Sequence, residues 1–345
     1  MESLVGKRVF VGLSGGVDSA VSAALLQQAG ADVVGVFIKG WYPPGMPCTW
    51  SEDRKDAMLA AARLHIPFHT LDASKEYKEG VIDYLLREYA AGRTPNPDIM
   101  CNREVKFGAF WRFAKENGAD YIATGHYAVQ KEGHLYRGAD ESKDQSYFLW
   151  AVPKEAIAST LFPLGAMQKT ATRALAEKFD VPQATKKDSQ GICFLGSISV
   201  DDFLRAEIGA VPGSALDTSG EHIGTHEGAV LATLGERVAL TDAPQGPWYV
   251  YAKDMSANTL TVGHAREQVS NATSISLTET NWLRTPALDE VVEAQYRYHG
   301  PRIPGVITEG GTVFTPNSAL PESIAPGQSL VIYQGEELLG GGIIG

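Results

Sequence analysis

The chain has 345 residues, of which 44% are hydrophobic and 21% are charged, and it contains three cysteines. This length and composition are typical of a globular protein with two or three domains, and so few cysteines exclude the disulfide framework of small secreted proteins. Residues 201–345 carry 7 Lys and Arg against 18 Asp and Glu, which accounts for the whole net charge of −11 and argues against a nonspecific nucleic-acid-binding protein.

No apolar segment is long enough to span a membrane, and Met1-Glu2-Ser3 leads directly into the first apolar run. We therefore expect a cytoplasmic protein with no signal peptide and no membrane partner, whose cysteines are thiols. The first 200 residues are balanced in charge, which leaves room for a local basic groove.

The first apolar run predicts a buried strand that leads into a glycine-rich loop and then a helix from Ala20 to Ala29, ended by Gly30. Such a loop directs backbone N–H groups and a helix N-terminus at an anion, most often phosphate. A plain tight turn is the alternative, but the polar side chains of Asp18 and Ser19 favour a nucleotide. The loop is formed by Gly12, Leu13, Ser14, Gly15, Gly16, Val17, Asp18 and Ser19.

No Gly-Lys-Ser/Thr follows, so this is not a Walker A loop. It resembles the SGGxDS pyrophosphate loop of enzymes that split ATP between its α and β phosphates to adenylate a substrate. The remaining sequence has to indicate which substrate is adenylated.

Strands and helices alternate over the first 199 residues, which predicts an α/β domain with a doubly wound parallel sheet. The further predicted strands are Asp32–Ile38, Ile66–Leu71 and Asp120–Thr124, and the further predicted helices are Glu76–Ala90 and Lys106–Asn117. Ligands bind beyond the carboxyl ends of such strands. We therefore expect Ile38 and Thr124-Gly125-His126 to meet the glycine-rich loop at one site.

From about Val200 the apolar runs become short and are separated by glycine- and proline-containing turns. Alternating stretches such as Val291–Tyr298 and Ser329–Tyr333 predict antiparallel strands. We expect three domains: residues 1–199, a small mainly-β middle domain at 200–268, and a C-terminal antiparallel β-barrel at 269–345.

Cys101 precedes a helix that we expect to begin near Glu104, and Arg103 and Lys106 are close in sequence. A helix N-terminus and nearby cations stabilise a thiolate, which would make this cysteine reactive. A buried cysteine that acts as a small hydrophobic residue is an equally good interpretation.

Cys193 lies in a polar loop near Lys186-Lys187, which again places a thiol beside positive charge. Neither Cys101 nor Cys193 belongs to a CxxC motif or a zinc-like Cys/His cluster, so we predict no structural metal site. Cys48 lies in a proline-rich loop without cationic neighbours, and we interpret it as incidental.

Almost the whole chain resembles the bacterial tRNA-uridine 2-sulfurtransferases, or tRNA 2-thiouridylases. The matching stretches are GLSGGVDSAVSAALL, GVFIKGW, AGRTPNPDIMCNREVKFGAF, ADYIATGHYA, KDQSYFLW, KKDSQGICFLG, QYRYHGPRIP and the terminal LLGGGIIG. The blocks around Cys101 and Cys193 are the most specific of these.

The resemblance implies an enzyme that uses ATP and Mg²⁺ to adenylate the C2 oxygen of the wobble uridine of tRNA. Sulfur would arrive as a persulfide on Cys193, supplied by a cysteine desulfurase or a sulfur-relay protein. Cys101 would attack the persulfide or its adduct, which leaves a Cys101–Cys193 disulfide. We expect the protein to be a monomer.

The resemblance also assigns binding residues. Ile38, where the family commonly has methionine, and Gly125 would contact ATP, and Asp98 would contact the target base and serve as a general acid or base, or only form the turn. His126 would contact tRNA or be a core histidine, and both interpretations stay open. The remaining positions implied to contact tRNA are Asn96, Pro97, Lys143, Asp144, Gln145, Arg297, Tyr298 and Gln328.

The chain departs from the family pattern at Gly228–Leu240, at Leu338-Leu339 and at residues 41–50. These departures affect the expected contacts of the middle domain and the tRNA preference. Two other functions would fit part of the chain: an amide ligase of the GMP- or NAD-synthetase kind, and a tRNA-binding protein that has lost catalysis. The first leaves both cysteine blocks without a purpose, and the second is disfavoured because Asp18, Cys101 and Cys193 are all present.

Overall fold

The computed structural model describes residues 3–43, 50–187, 199–265, 273–287, 290–320 and 324–345. Cys48 and Cys193 lie outside these residues, and so does the predicted pairing of Cys193 with Cys101. Of the described helices, none is long and apolar enough to cross a membrane.

A five-stranded parallel sheet forms the centre of the first domain, with the strand order β3-β2-β1-β4-β7. The apolar residues Val9, Phe10 and Val11 of the central strand are at most 2% exposed, which is why this run forms a strand buried on both faces. The predicted parallel sheet is confirmed. The strands described in this domain are β1 (Arg8–Gly12), β2 (Asp32–Lys39), β3 (Phe68–Asp72), β4 (Tyr121–Ala123), β5 (Ala128–Lys131), β6 (His134–Arg137) and β7 (Thr160–Leu161).

Helices cover the sheet, and two pairs of consecutive helices are continuous through a π-helical segment. The described α-helices of this domain are α1 (Val17–Gln28), α2 (Trp50–Leu64), α3 (Ser74–Tyr77), α4 (Asp83–Ala90), α5 (Pro97–Met100), α6 (Phe110–Glu116), α7 (Lys154–Ala158) and α8 (Lys169–Lys178). The π-helical segments Lys78–Ile82 and Cys101–Ala109 join α3 to α4 and α5 to α6. The first helix is followed by Gly30 at φ +86°, as expected for a glycine that ends a helix.

The helix that carries Cys101 begins earlier than predicted. We expected a start near Glu104 or Lys106, but the chain is helical from Pro97. The side chain of Asn96 accepts hydrogen bonds from the backbone N–H groups of Asp98 and Ile99, and proline is favoured at the first helical position. Cys101 therefore lies within a helix, rather than just before one.

The middle domain consists of one helix and a five-stranded sheet with the order β10-β11-β12-β8-β9. Its described elements are α9 (Val200–Ile208), β8 (Gly213–Leu216), β9 (His222–His226), β10 (Arg237–Val238), β11 (Trp248–Asp254) and β12 (Thr259–Gly263). Trp248, Val250 and Leu260 contribute to its core. The divergent segment Gly228–Leu240 forms a 3₁₀ turn and the short edge strand β10.

The C-terminal strands form the predicted antiparallel barrel. The strands are β13 (Ile275–Trp282), β14 (Val291–Gln295), β15 (Ile303–Thr308), β16 (Val313–Pro316), β17 (Ser329–Gln334) and β18 (Glu337–Ile344). They pair in the order β13-β16-β15-β14-β17-β18, and pairing of β13 with β18 closes the barrel.

The barrel is joined to the first domain by strand pairing. The hairpin β5–β6 belongs to the first domain, and its second strand pairs with β18 through Leu135 and Tyr136. One continuous sheet therefore extends from the hairpin after β4 into the barrel, which fixes the barrel beside the site described next.

Candidate functional site

The glycine-rich loop after β1 is closed by its own hydrogen bonds. The Ser19 hydroxyl accepts a hydrogen bond from the backbone N–H of Ser14 at 3.2 Å and donates one to the Gly16 carbonyl at 3.1 Å. Gly15 has φ +77°, and a Cβ there would lie 2.4 Å from the Asp53 carbonyl oxygen, so only glycine fits. The loop is thus a fixed turn that leads directly into α1.

The N-terminus of α1 is available to an anion. Its N-cap residue is Gly16, which offers no side-chain hydrogen bond to the first-turn N–H groups. Those groups and the helix dipole favour a bound phosphate. This N-terminus is compatible with the phosphate-binding function of the loop, which stays a prediction.

Asp18 belongs to a polar network that the sequence alone did not predict. Its two carboxylate oxygens each lie 2.7 Å from Lys169 Nζ, and Oδ1 also accepts a hydrogen bond from the Tyr127 hydroxyl at 3.0 Å. Tyr127 directly follows Thr124-Gly125-His126 after β4, so its position near the strand end was a usable signal. Lys169 begins a helix more than 150 residues from Asp18 in sequence, and no local pattern marks it.

Two predicted ATP-contacting residues lie against the loop. A Cβ on Gly125 would be 2.9 Å from the Ser19 backbone nitrogen and 3.0 Å from Asp18 Cβ, so the chain after β4 packs directly on the start of α1. Ile38 Cδ1 lies 3.8 Å from the position of a Cβ on Gly12. The structure therefore brings Ile38, Gly125 and the loop together at the carboxyl ends of the strands.

Lys186 adds a positive charge beside the loop. Its Nζ lies 3.2 Å from the Gly15 carbonyl oxygen, 3.0 Å from Asp53 Oδ1 and 2.7 Å from Asp56 Oδ2. The predicted proximity of this lysine to Cys193 stays a prediction, because Cys193 lies outside the described residues. The structure shows Lys186 bridging the loop to α2.

The first turns of the Cys101 helix carry the other part of the site. Burial raises the pKa of the half-buried Asp98 above its ordinary value, and the positive charge of Lys106 opposes that shift. Cys101 is 4% exposed and packs in the main hydrophobic core. This burial agrees with the hydrophobic interpretation, and a reactive role requires the helix start to open or rearrange.

His126 connects the loop to the Cys101 helix. Its ring lies 5.7 Å from that of Phe107, and its Nδ1 is 2.8 Å from the Thr124 hydroxyl. Burial lowers the pKa of His126 well below its ordinary value, with a smaller contribution from Lys106, so the ring is neutral at physiological pH. These contacts favour the interpretation as a core histidine.

The three residues predicted at 143–145 contact their own domain. The buried Asp144 carboxylate accepts a hydrogen bond from the Gly138 backbone N–H at 2.9 Å. Gln145 Oε1 accepts one from the Tyr127 N–H at 3.0 Å, and the Lys143 N–H donates to a turn within the same loop. Asp144 and Gln145 therefore order the segment after β6, while Lys143 is half-buried.

The barrel residues Arg297 and Tyr298 lie next to this segment. The Tyr298 ring centroid is 4.6 Å from that of Phe148, and Tyr298 and Asp144 both line a cavity of about 200 Å³ between the first domain and the barrel. Arg297 is exposed. The structure thus brings Asp144 and Tyr298, one from each of the two predicted groups, to the same cavity.

Gln328 contacts a different segment. Its Nε2 donates a 3.0 Å hydrogen bond to the carbonyl oxygen of Thr94, which precedes the Cys101 helix.

Three family models match consecutive parts of the chain. They are described as a tRNA methyl transferase HUP domain at residues 7–197, a tRNA methyl transferase PRC-barrel domain at 201–264 and an aminomethyltransferase β-barrel domain at 272–344. Together they extend over nearly the whole sequence.

Curated relatives match over almost their full length. Proteins named tRNA-specific 2-thiouridylase MnmA are 44% identical in Stenotrophomonas maltophilia (strain K279a), 41% in Streptococcus sanguinis and 42% in Enterococcus faecalis. Each alignment covers 98% of this chain and 93% to 95% of the relative. With the pyrophosphate-type loop and the Cys101 helix in one domain, this similarity shows that the chain belongs to the tRNA-specific 2-thiouridylase family.

Proposed function

We propose that this protein uses ATP to replace the C2 oxygen of the wobble uridine of tRNA by sulfur. One observation carries the proposal: the adjacent residues Gly125 and His126 join the glycine-rich loop to the Cys101 helix. Gly125 packs on the loop at Asp18 and Ser19, and His126 packs on Phe107 of the Cys101 helix. An ATP phosphate at the glycine-rich loop and the thiol of the Cys101 helix can therefore react with one bound substrate.

The loop supports the adenylation step. The uridine C2 oxygen attacks the α-phosphorus of ATP, and pyrophosphate leaves with the electron pair of the broken bond. The first-turn N–H groups of α1 stabilise negative charge on the phosphates. The proton on uridine N3 must leave in this step, and Asp98, with its raised pKa, is suited to accept it.

Mg²⁺ fits the same place. The Asp18 carboxylate is a hard oxygen ligand at the mouth of a phosphate-binding loop, and magnesium is usually held by one or two carboxylates together with substrate phosphates. The cation would neutralise phosphate charge. Lys169, which contacts both Asp18 oxygens, supplies a positive charge of its own beside this carboxylate.

Sulfur transfer completes the exchange. The terminal sulfur of a Cys193 persulfide attacks uridine C2, and AMP leaves with the former C2 oxygen. The Cys101 thiolate then attacks the Cys193 sulfur, which releases 2-thiouridine and forms a Cys101–Cys193 disulfide. The alternative order, in which Cys101 attacks the persulfide first and hydrosulfide attacks C2, gives the same products. A dithiol reductant would return both thiols.

The partners of this reaction are tRNA and a persulfide donor, either a cysteine desulfurase or a sulfur-relay protein. The barrel segment at Arg297 and Tyr298 is suited to tRNA because it combines an exposed arginine with aromatic rings. The target uridine has to leave its stack to reach the Asp98 region. We infer a cytoplasmic monomer.

The test is a complete reaction with purified protein, ATP, Mg²⁺, a persulfide donor and unmodified tRNA, with 2-thiouridine measured by mass spectrometry. Cys101→Ser and Cys193→Ser should each lower the rate by about 10³-fold or more, because neither hydroxyl can replace the thiolate. Cys48→Ser is the matched control and should keep the full rate. Undiminished product from either of the first two variants would contradict the two-thiol mechanism.

A further inference from the structure

The segment before the Cys101 helix is held by all three domains. The Thr94 backbone N–H donates a 2.9 Å hydrogen bond to the Pro326 carbonyl of the barrel, and the Thr94 carbonyl accepts one from Gln328 Nε2 at 3.0 Å. The Thr94 hydroxyl lies 3.4 Å from that of Thr233 in the middle domain. Two residues later, Asn96 caps the helix.

The barrel approaches this segment closely. Gly327 has φ +88°, and a Cβ there would lie 2.9 Å from Arg93 Cβ and 2.9 Å from the Thr94 backbone nitrogen. Such distances are too short for any side chain, and the nearest atoms belong to the backbone and a Cβ, which cannot move independently. The contact therefore transmits any displacement of the barrel loop to residues 93 and 94.

The middle domain supports the other side of the segment. A Cβ on Gly92 would be 2.6 Å from Met255 Cγ, so the backbone there rests on the β11–β12 turn. Arg93 is tied back to the buried Glu88 of α4 by an ion pair of 2.5 Å. Residues 92–94 thus contact the middle domain, the barrel and α4, although they belong to a connection between helices.

We propose that residues 92–94 form a three-domain junction that holds the start of the Cys101 helix, and that Gly327 and Gln328 are positioning residues for Asp98 and Cys101. Cys101 is buried, so its exposure to reagents depends on local opening of this helix start. The proposal rests on the proposed function for its catalytic consequence, but the structural junction is testable without catalysis.

The first test compares Gly327→Ala with Gly310→Ala. Gly310 also has positive φ, at +67°, and lies in the same barrel, but a Cβ there meets nothing within 4 Å. Both variants carry similar backbone strain, and only the first displaces Arg93 and Thr94. We measure alkylation of Cys101 by iodoacetamide in the tryptic peptide Thr94–Arg103, which separates it from the other cysteines.

Gly327→Ala should raise the Cys101 alkylation rate by roughly fivefold or more, and Gly310→Ala should leave it within about twofold of the wild type. Equal rates in the two variants would overturn the junction. Thermal unfolding of both variants establishes that each one is folded.

The second test uses Gln328→Met, which removes the amide and keeps the length of the side chain. If Gln328 is a positioning residue, Gln328→Met should alkylate faster at Cys101. Its kcat for thiolation should fall by roughly tenfold, with the KM for tRNA unchanged. A raised KM with unchanged alkylation would instead make Gln328 a tRNA contact and overturn its positioning role. If the wild type forms no 2-thiouridine at all, the proposed function fails, whereas the alkylation comparison still decides the junction.

Discussion

The glycine-rich loop and the start of the Cys101 helix are the two regions that our proposed reaction needs, and they are held in different ways. The loop backbone is fixed by hydrogen bonds between residues three to five positions apart, Ser14, Gly16 and Ser19. Thr94, before the thiol helix, is held by Thr233 and Gln328, which are 139 and 234 positions away. The first domain therefore builds the loop by itself, whereas the thiol helix depends on the assembly of the whole chain.

This difference suggests a division of labour. A loop that is complete within one domain can bind a nucleotide in any arrangement of the other domains. A helix start that is confined by the middle domain and the barrel can respond when a large substrate contacts those domains. The predictions below separate the two regions, beginning with the largest expected effect.

Lys169→Met should impair the use of ATP at the glycine-rich loop and leave the start of the Cys101 helix unchanged. The ammonium group contacts both oxygens of Asp18, and its loss removes a positive charge beside the glycine-rich loop. We expect kcat/KM for ATP to fall by about 10²-fold, since charge stabilisation of this kind is typically worth that much. Steady-state kinetics of AMP formation in the presence of tRNA measures it.

Lys178→Met is the matched control, because Lys178 is exposed at the other end of α8. Alkylation of Cys101 should be the same in both variants. If Lys169→Met changes Cys101 exposure as strongly as it changes ATP use, the two regions are not held independently.

Gly125→Ala should have a smaller effect on the use of ATP at the glycine-rich loop. The added methyl group would meet the Ser19 backbone nitrogen and Asp18 at about 3 Å, so the start of α1 must shift. We expect the KM for ATP to rise roughly tenfold, because a misplaced helix N-terminus loses its hydrogen bonds to phosphate. Gly118→Ala is the control, since a Cβ there meets nothing within 4 Å. Equal KM values in the two variants would contradict the close packing.

His126 tests the contact between the two regions through pH. Burial lowers the pKa of His126 well below the value of 6.5 that it has when unfolded. The unfolded chain therefore binds the proton more readily, and stability present above pH 6.5 is lost as the pH falls. This loss should be about 1 kcal/mol between pH 6.5 and pH 5.5 for one fully buried neutral histidine.

Chemical denaturation of the wild type and of His126→Gln measures that loss. The variant should lack this part of the pH dependence, because glutamine does not titrate. An identical slope in both proteins would show that other groups dominate and that His126 is not held neutral between Thr124 and Phe107.

The loop was predictable from the sequence because its signals are local. Glycines at the turn, a β-branched strand before it and a helix after it fall within about twenty residues, and each is explained by backbone sterics or hydrogen bonding. The convergence of Ile38 and Gly125 on the loop followed from the rule for parallel sheets. Lys169 was not predictable, because nothing near it in sequence indicates that its side chain reaches Asp18.

The thiol helix was predicted less well. Asn96 followed by Pro97 is a helix-start signal, but our prediction placed the start near Glu104. The burial of Cys101 and the contacts of Thr94 with two other domains depend on tertiary packing. The same is true of the hairpin β5–β6, whose pairing with β18 joins residues about 200 positions apart.

The most direct test of the account follows the uridine C2 oxygen. A tRNA labelled with ¹⁸O at C2 of the wobble uridine is incubated with the protein, ATP, Mg²⁺ and a persulfide donor. The AMP is then recovered, and its ¹⁸O content is measured by mass spectrometry. Adenylation of that oxygen by ATP bound at the Gly12–Ser19 loop predicts AMP that carries the label, in an amount equal to the 2-thiouridine formed. Formation of 2-thiouridine with unlabelled AMP would contradict it.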